Sequence, residues 1–376
     1  MDLVCFSHLP WNFVYQRPQH LLSRFALDYR VFYFQEFEYN DSHDGYAINK
    51  SEENVWIVIP HLHRHNGDDL LQRQRNIVSD FFKAEKISTF IGWYYTPMSL
   101  LFSAHLQPTV TVYDCMDELS AFKFADPQLK EAEKLLFQKA DIVFTGGNSL
   151  YEAKKHQHPN VYAFPSSIDK DHFGRARLQG KDPLDQLNIP HPRLGFFGVI
   201  DERFDISMIE QAANMKPDWH FILIGPVVKI DPEILPRNNN IHYLGSKSYN
   251  ELPDYLRGWD IALIPFAIND STKFISPTKT PEYLAAGKAV ISTPITDVIV
   301  PYGEIGMVHI VDNAEQLVEK ASLELDATEK ESWLSGVDDF LSNISWDITW
   351  QRMLELIKKE VSHKQNLRTI KKEIYV

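Results

Sequence analysis

Two series of short apolar runs alternating with helix-periodic stretches, parted by an interval rich in glycine and proline, restrict this chain to few folds. In the first series, strand-like runs at residues 3–7, 31–34, 55–59, 89–92, 109–113 and 142–145 are separated by helical stretches. Those stretches begin near Arg17 and cover 70–83 and 128–139. Pro18 suits an early helical position, Leu21, Leu22 and Phe25 share one face, and Asp126-Pro127 can cap the helix at 128–139. The second series reads as strand 193–197, helix 207–214, strands 220–224 and 241–244, helix 252–259, strand 260–265, helix 281–286 and strand 289–292. Strands alternating with helices predict a parallel, doubly wound sheet. The interval between them holds Gly174, Gly180, Pro183, Pro190 and Pro192 among charged residues and reads as a linker. The expected organisation is therefore α/β: a Rossmann-like domain at 1–172, a linker at 173–192, a second Rossmann-like domain at 193–345 and a helix over 346–376.

A length of 376 residues is comfortable for two domains. The net charge of −13 argues against a general nucleic-acid binder, which needs a basic face for phosphates, but allows a local basic pocket for one diphosphate. Cys5 and Cys115 have neither metal-ligand spacing nor a disulfide framework, which fits a reducing cytosol. Residues 3–6 read as a strand rather than a signal peptide, and no apolar run approaches the ~20 residues that span a bilayer. A cytoplasmic protein is expected. Beyond Gln351, seven Lys or Arg face three Glu; this basic end is either a solvated helix or a contact with the inner membrane surface. Aromatic residues, 12% of the chain, suit either carbohydrate contact or large cores.

In open α/β sheets ligands sit beyond the carboxyl ends of the strands. In the second half this points to four loops. Gly198 follows a strand and lets backbone approach a phosphate, while Arg203 offers a planar fork for phosphate oxygens or a surface ion pair. Gly225 and Gly245 end two further strands. The fourth loop carries Ser276, Thr278 and Lys279, then Glu282 in a first helical turn, with Gly287 closing a short alanine-rich helix. Lys279 supplies a point charge, and the Glu282 carboxylate suits the two hydroxyls of a ribose or simply the helix dipole.

The stretch Ser276-Pro277-Thr278-Lys279-x-x-Glu282-Tyr283-Leu284-Ala285-Ala286-Gly287-Lys288 resembles the donor-binding signature of GT-B glycosyltransferases related to the large retaining family four. The resemblance implies two Rossmann-like domains facing a cleft and a C-terminal helix that returns to the first domain. It implies Glu282 on the donor ribose, the preceding loop on the diphosphate, and no metal or other cofactor. The family pattern has two glutamates separated by seven residues; the earlier position here is Phe274, which departs from it.

In the first half, residues 11–20 are dense in large polar and aromatic side chains and resemble a motif of transferases of bacterial surface polysaccharides, teichuronic-acid-type enzymes included. Gln16, Arg17 and His20 are candidates for acceptor or donor contact, His20 being equally a packed histidine, and Trp93 opens an aromatic triplet that could stack on a sugar. Asp114, Asp117 and Glu118 crowd carboxylates at a strand end, where repulsion demands a partner or a proton. Asp114 or Asp117 could take an acceptor proton, or Asp117-Glu118 could cap a helix. The expected activity is metal-independent, retaining transfer from a nucleotide sugar, UDP-linked for preference, to a glycan or lipid-linked acceptor of the cell envelope. The rivals are a nucleotide-sugar epimerase or hydrolase and a catalytically silent nucleotide-binding scaffold. No G-x-G-x-x-G follows any strand, which disfavours a dehydrogenase.

Overall fold

The computed structural model describes residues 1–64, 69–328 and 330–374, with side chains through 367. Its first sheet comprises β1 (Asp2–Phe6), β2 (Arg30–Phe34), β3 (Glu38–Asn40), β4 (Gly45–Lys50), β5 (Trp56–His63), β6 (Phe90–Tyr94), β7 (Val110–Cys115), β8 (Ile142–Thr145) and β9 (Val161–Ala163). The order is β3-β5-β2-β1-β6-β7-β8-β9, all parallel, with β4 antiparallel on β5. The second sheet comprises β10 (Arg193–Phe197), β11 (His220–Ile224), β12 (Ile241–Gly245), β13 (Ile261–Ile264), β14 (Ala289–Ser292) and β15 (Val308–Ile310), in the order β12-β11-β10-β13-β14-β15. The chain reverses direction across each sheet beside β1 and beside β10, and a crevice opens beyond the strand ends at those points.

Strands covered on both faces read as continuous apolar runs, and β7, β10 and β13 are buried along their whole length. The strands that escape the sequence pattern, β3, β4, β9 and β15, have few fully buried positions. Without an apolar run they carry no signal of their own. The helix Arg17–Phe25 does start with proline in its first turn. The helix expected at 128–139 runs Leu129–Lys139, and the Asp126 carboxylate receives the Gln128 N–H at 2.8 Å.

The interval at 173–192 is not a free tether. Phe173, Ala176 and Ile189 enter the apolar core of the second domain, as does Ile168 before them. Fully buried Gln186 donates to the Tyr255 carbonyl (3.0 Å) and accepts from Trp259 Nε1 (2.9 Å). Polar residues that satisfy buried partners look like linker in a sequence and behave like core in a fold.

The helix Trp346–Ile374 lies on the first domain: Trp346, Met353, Leu354 and Ile357 join a cluster with Leu3, Cys5, Trp11 and Leu21. Arg24 pairs with Asp347 at 2.8 Å and Lys364 with Asp141 at 2.7 Å. Of the seven basic residues in this end, Lys364 is thus spent on Asp141, and Arg352 lies over the Phe164 ring. The side chains of Arg368, Lys371 and Lys372 lie outside those described. Among the described residues no helix is long and apolar enough to cross a membrane.

The two domains also meet directly. Asp297 of the second domain accepts the Ser149 N–H at 2.9 Å, and a Cβ on Gly147 would sit 2.2 Å from the same carboxylate. Glycine at 147 therefore permits that close approach.

Candidate functional site

The crevice of the second domain is shaped by glycines at adjacent strand ends. Gly198 after β10 and Gly225 after β11 have φ of +138° and +141°, a region that side-chain-bearing residues rarely adopt. Gly198 N–H bonds the Ile224 carbonyl at 2.8 Å, and a Cβ on Gly225 would lie 1.9 Å from the Gly198 carbonyl oxygen. Gly225 N–H reaches the carbonyl of Gly245, whose own φ is +70° with open space about it. These three loops are in register because their strands are neighbours.

Lys279 uses the space that Gly198 leaves. A Cβ at 198 would stand 2.4 Å from Lys279 Cε and 2.6 Å from Nζ. The ammonium rests 5.4 and 5.5 Å from the centroids of Phe196 and Phe266, at cation–π range. One turn further along the helix Lys279–Ala285, Glu282 is 4% exposed and its Oε2 has no hydrogen-bond partner. Burial pushes the Glu282 carboxyl up to about 7, against the attraction of Lys279 and a bond from Thr278. Burial likewise lowers Lys279 to about 8, against the pull of Glu282. The helix is locked to β10 by the Tyr283 hydroxyl, which accepts the Phe197 N–H at 3.0 Å. A buried carboxylate with a free oxygen is costly unless something outside the chain uses it.

Arg203 lies at the mouth of the same crevice. Its guanidinium forks onto Asp201 (2.7–3.1 Å) and stands 5.1 Å from the centroid of Phe122, a first-domain residue. Asp117, on the same first-domain segment as Phe122, faces this group. Burial raises its carboxyl to about 6, opposed by Arg203, Arg17 and Lys229. His8, just past β1, is pushed down to about 4 by burial and by Lys229, and its Nδ1 is buried without a partner. The loops after β1, β7, β10 and β11 thus converge on one cleft between the domains.

Several residues singled out in the sequence are elsewhere employed. Asp114 is fully buried and both its oxygens are taken by Arg17 (2.8–3.1 Å), whose Nη1 donates to the Phe164 carbonyl at 2.7 Å. Neither Asp114 as a catalytic base nor Arg17 as a substrate contact fits this geometry; each is the other's counter-ion. Trp93 is fully buried against Phe25 and Phe144, so it cannot stack on a sugar, and Tyr94 and Tyr95 are buried with it. The aromatic triplet serves the core, one residue to each side of the sheet in turn. His20 is buried too. Its ring stacks on Trp346 (4.6 Å, 9°) and meets Tyr15 edge-on, inside an aromatic cluster that continues through Tyr249 to His172. That cluster joins the two domains. Gln16 precedes the first helix, where its N–H bonds the Gln19 side chain at 3.0 Å.

Ser276 is engaged in the seam between domains: its hydroxyl accepts the Ser166 N–H at 3.3 Å and its carbonyl receives the Ser166 hydroxyl. Phe274, where the family pattern has glutamate, packs against the apolar core of the first domain. The structure therefore brings together Gly198, Gly225, Gly245, Arg203, Lys279, Glu282 and Asp117, and sets Arg17, Asp114, His20 and Trp93 inside the first domain. Sequence reasoning missed His8, Phe122, Lys229 and Asp297. His8 follows the end of β1 and could have been found by applying the strand-end rule there, whereas Lys229 lies well past the end of β11, where that rule had already pointed to Gly225. Phe122 and Asp297 matter through contacts between domains, which no local pattern announces. Among the described residues no group of three or more His, Cys, Asp or Glu is placed to hold a metal ion.

Residues 191–325 match the family described as Glycosyl transferases group 1. TuaH of Bacillus subtilis (strain 168), provisionally named as a teichuronic acid biosynthesis glycosyltransferase, is 27% identical over 224 residues. The alignment covers 54% of each protein, so the chain spans about half the length of this curated relative. Among solved structures, HepE of Anabaena in complex with UDP-glucose has a TM-score of 0.70 at 14% identity, over 96% of this chain and 100% of that one. Sucrose-phosphate synthase of Thermosynechococcus elongatus gives 0.70 at 13%, over 96% and 99%. The UDP-forming trehalose-phosphate synthase of Burkholderia vietnamiensis gives 0.69 at 15%, over 95% and 98%. At such identities the likeness is one of fold, and that fold is GT-B.

Proposed function

We propose that this chain, a GT-B fold whose residues 191–325 match the group 1 glycosyl transferases, moves a sugar from a nucleoside diphosphate to a hydroxyl acceptor. The observation that carries the reading is Glu282: a buried carboxylate with one oxygen unpartnered, beside Lys279, at the switch point of the second sheet. Such a group matches the paired hydroxyls of a ribose, and Lys279 and Arg203 match the charge of the attached diphosphate. HepE was solved with UDP and with UDP-glucose, which supports uridine as the base. The name of TuaH supports a glycan or lipid-linked acceptor in cell-envelope polysaccharide synthesis. Exposed Lys358 and Lys359 on the C-terminal helix could bring the cleft to an anionic membrane surface carrying such an acceptor.

Asp117 is the acceptor-side group. It holds the acceptor hydroxyl and takes its proton while the new C1–O bond forms and the bond from C1 to the diphosphate breaks. Cations at the departing phosphate offset the charge that builds there. The likeness of residues 276–288 to the family-four donor signature supports retention at C1.

A second reading, nucleotide binding without transfer, draws on Phe274, which is turned into the first domain. Thermal melting with UDP, GDP, ADP, TDP and CDP is the first test. A nucleotide at 100 times its Kd adds about 2.7 kcal/mol, enough to rank them. Release of that nucleotide from its sugar conjugate, dependent on Asp117, supports transfer; binding with no release supports the second reading.

A further inference from the structure

Lys229 carries no carboxylate partner among the described residues, although it is held in an unusual place. Its φ of +62° is left-handed, a conformation that costs a lysine backbone energy unless the surrounding loop imposes it. The loop is imposed: Val228 N–H bonds the Ile200 carbonyl at 3.1 Å, tying it to the segment that carries Arg203. The ammonium so placed stands 4.9 Å from the centroid of Phe122, the same ring that lies 5.1 Å from the Arg203 guanidinium. Two cations from adjacent loops of one domain therefore share one ring of the other. The ring is kept there by the next residue, whose N–H bonds Glu202 Oε1 at 3.1 Å.

Arg203 is already paired with Asp201, but Lys229 has no ion pair among the described residues, and an aromatic face is a weaker partner for an ammonium than phosphate oxygens. We propose that Lys229 is, with Arg203, a diphosphate-binding cation of the donor site, and that Phe122 is a stopper seated on both cations which the diphosphate must lift away. The inference rests on the donor site assigned above and deepens it.

Calorimetric titration with UDP and with inorganic pyrophosphate, which has no base to recognise, tests this. Phe122→Ala should bind both probes about 5–30-fold more tightly, the size of two surface cation–π contacts released. Phe122→Leu, which keeps apolar bulk but removes the ring, should do the same. Lys229→Ala should bind both at least about 5-fold more weakly, and adding Phe122→Ala to it should recover less than Phe122→Ala gains alone. Unchanged or weaker binding in Phe122→Ala and Phe122→Leu, or unchanged binding in Lys229→Ala, overturns the proposal. If UDP binds wild type and Glu282→Ala weakens it while these variants are silent, the donor site stands and only this inference falls. If wild type binds neither probe, the donor site falls with it.

Discussion

Arg17 and Asp114 form a buried ion pair in which the guanidinium covers both carboxylate oxygens, 97 residues apart in sequence. The pair ties the first helix of the chain to the end of β7 beneath the cleft. It holds in place the segment that carries Asp117, without touching the cleft itself.

Removing one partner of such a pair strands the other charge. Asp114→Ala should destabilise the protein by about 3–5 kcal/mol, measured by urea denaturation, while the folded fraction binds nucleotide with wild-type affinity. A variant of native stability would show that the ion pair is not what secures this region.

Glu282→Ala should weaken nucleotide binding by about 10–100-fold, the loss expected when hydrogen bonds to a charged group are removed, about 1.5–3 kcal/mol. Unchanged affinity by calorimetry would remove the ribose role. For wild type, binding should tighten as pH rises through about 7, where Glu282 becomes the better acceptor, and weaken again above about 8, where Lys279 loses the charge that meets the diphosphate.

The same residue predicts a stability profile. The folded carboxyl titrates near 7 and the ordinary value is 4.5, so between them the folded chain holds a proton that the unfolded chain has released. Stability should therefore fall as pH rises from about 4.5 to about 7. Glu282→Gln lacks that loss, so its stability relative to wild type should rise over the interval. Parallel urea curves at pH 5 and pH 7.5 with no change in the difference would contradict the assignment.

Asp117→Asn should leave nucleotide affinity intact and lower turnover of the sugar donor about 10²–10⁴-fold, the usual span for a general base. The wild-type rate should climb with pH through about 6 and level off above it, because only the ionised form accepts a proton. Full activity in the variant would take Asp117 out of the reaction.

Gly225→Ala places a Cβ against the Gly198 carbonyl at 1.9 Å and forces a φ of +141° on alanine. Strain of this kind costs about 1–3 kcal/mol, and relief by movement of the Gly198 loop should displace Lys279. Lower melting temperature together with weaker nucleotide binding is expected. Lower stability alone would mean that the loop does not position Lys279.

The alternation of apolar runs with helical stretches was legible at once, because parallel strands covered on both faces must be largely apolar, as β13 is along its whole length. The glycine turns at 198, 225 and 245 and the acid–cation pair Lys279 and Glu282 were legible for a similar reason. Each is set by local backbone geometry at a strand or helix end, and local geometry leaves a mark on residue type. The shape of the second domain's crevice is therefore written in its local residue types.

What only the tertiary structure decided is where polar residues of the first domain spend their charges. In sequence, Asp114 and Asp117 are near-equivalent carboxylates in one segment. In the fold, Arg17 arrives from the first helix and consumes Asp114, while Asp117 is left to face the cations of the other domain. His20 and Trp93 look like sugar contacts until the returning C-terminal helix sets Trp346 on one and neighbouring strands bury the other. Periodicity and turn chemistry act within a few residues and are written in the sequence. Burial and ion pairing depend on which distant segments meet, and that is settled only when both domains and the final helix have closed on one another.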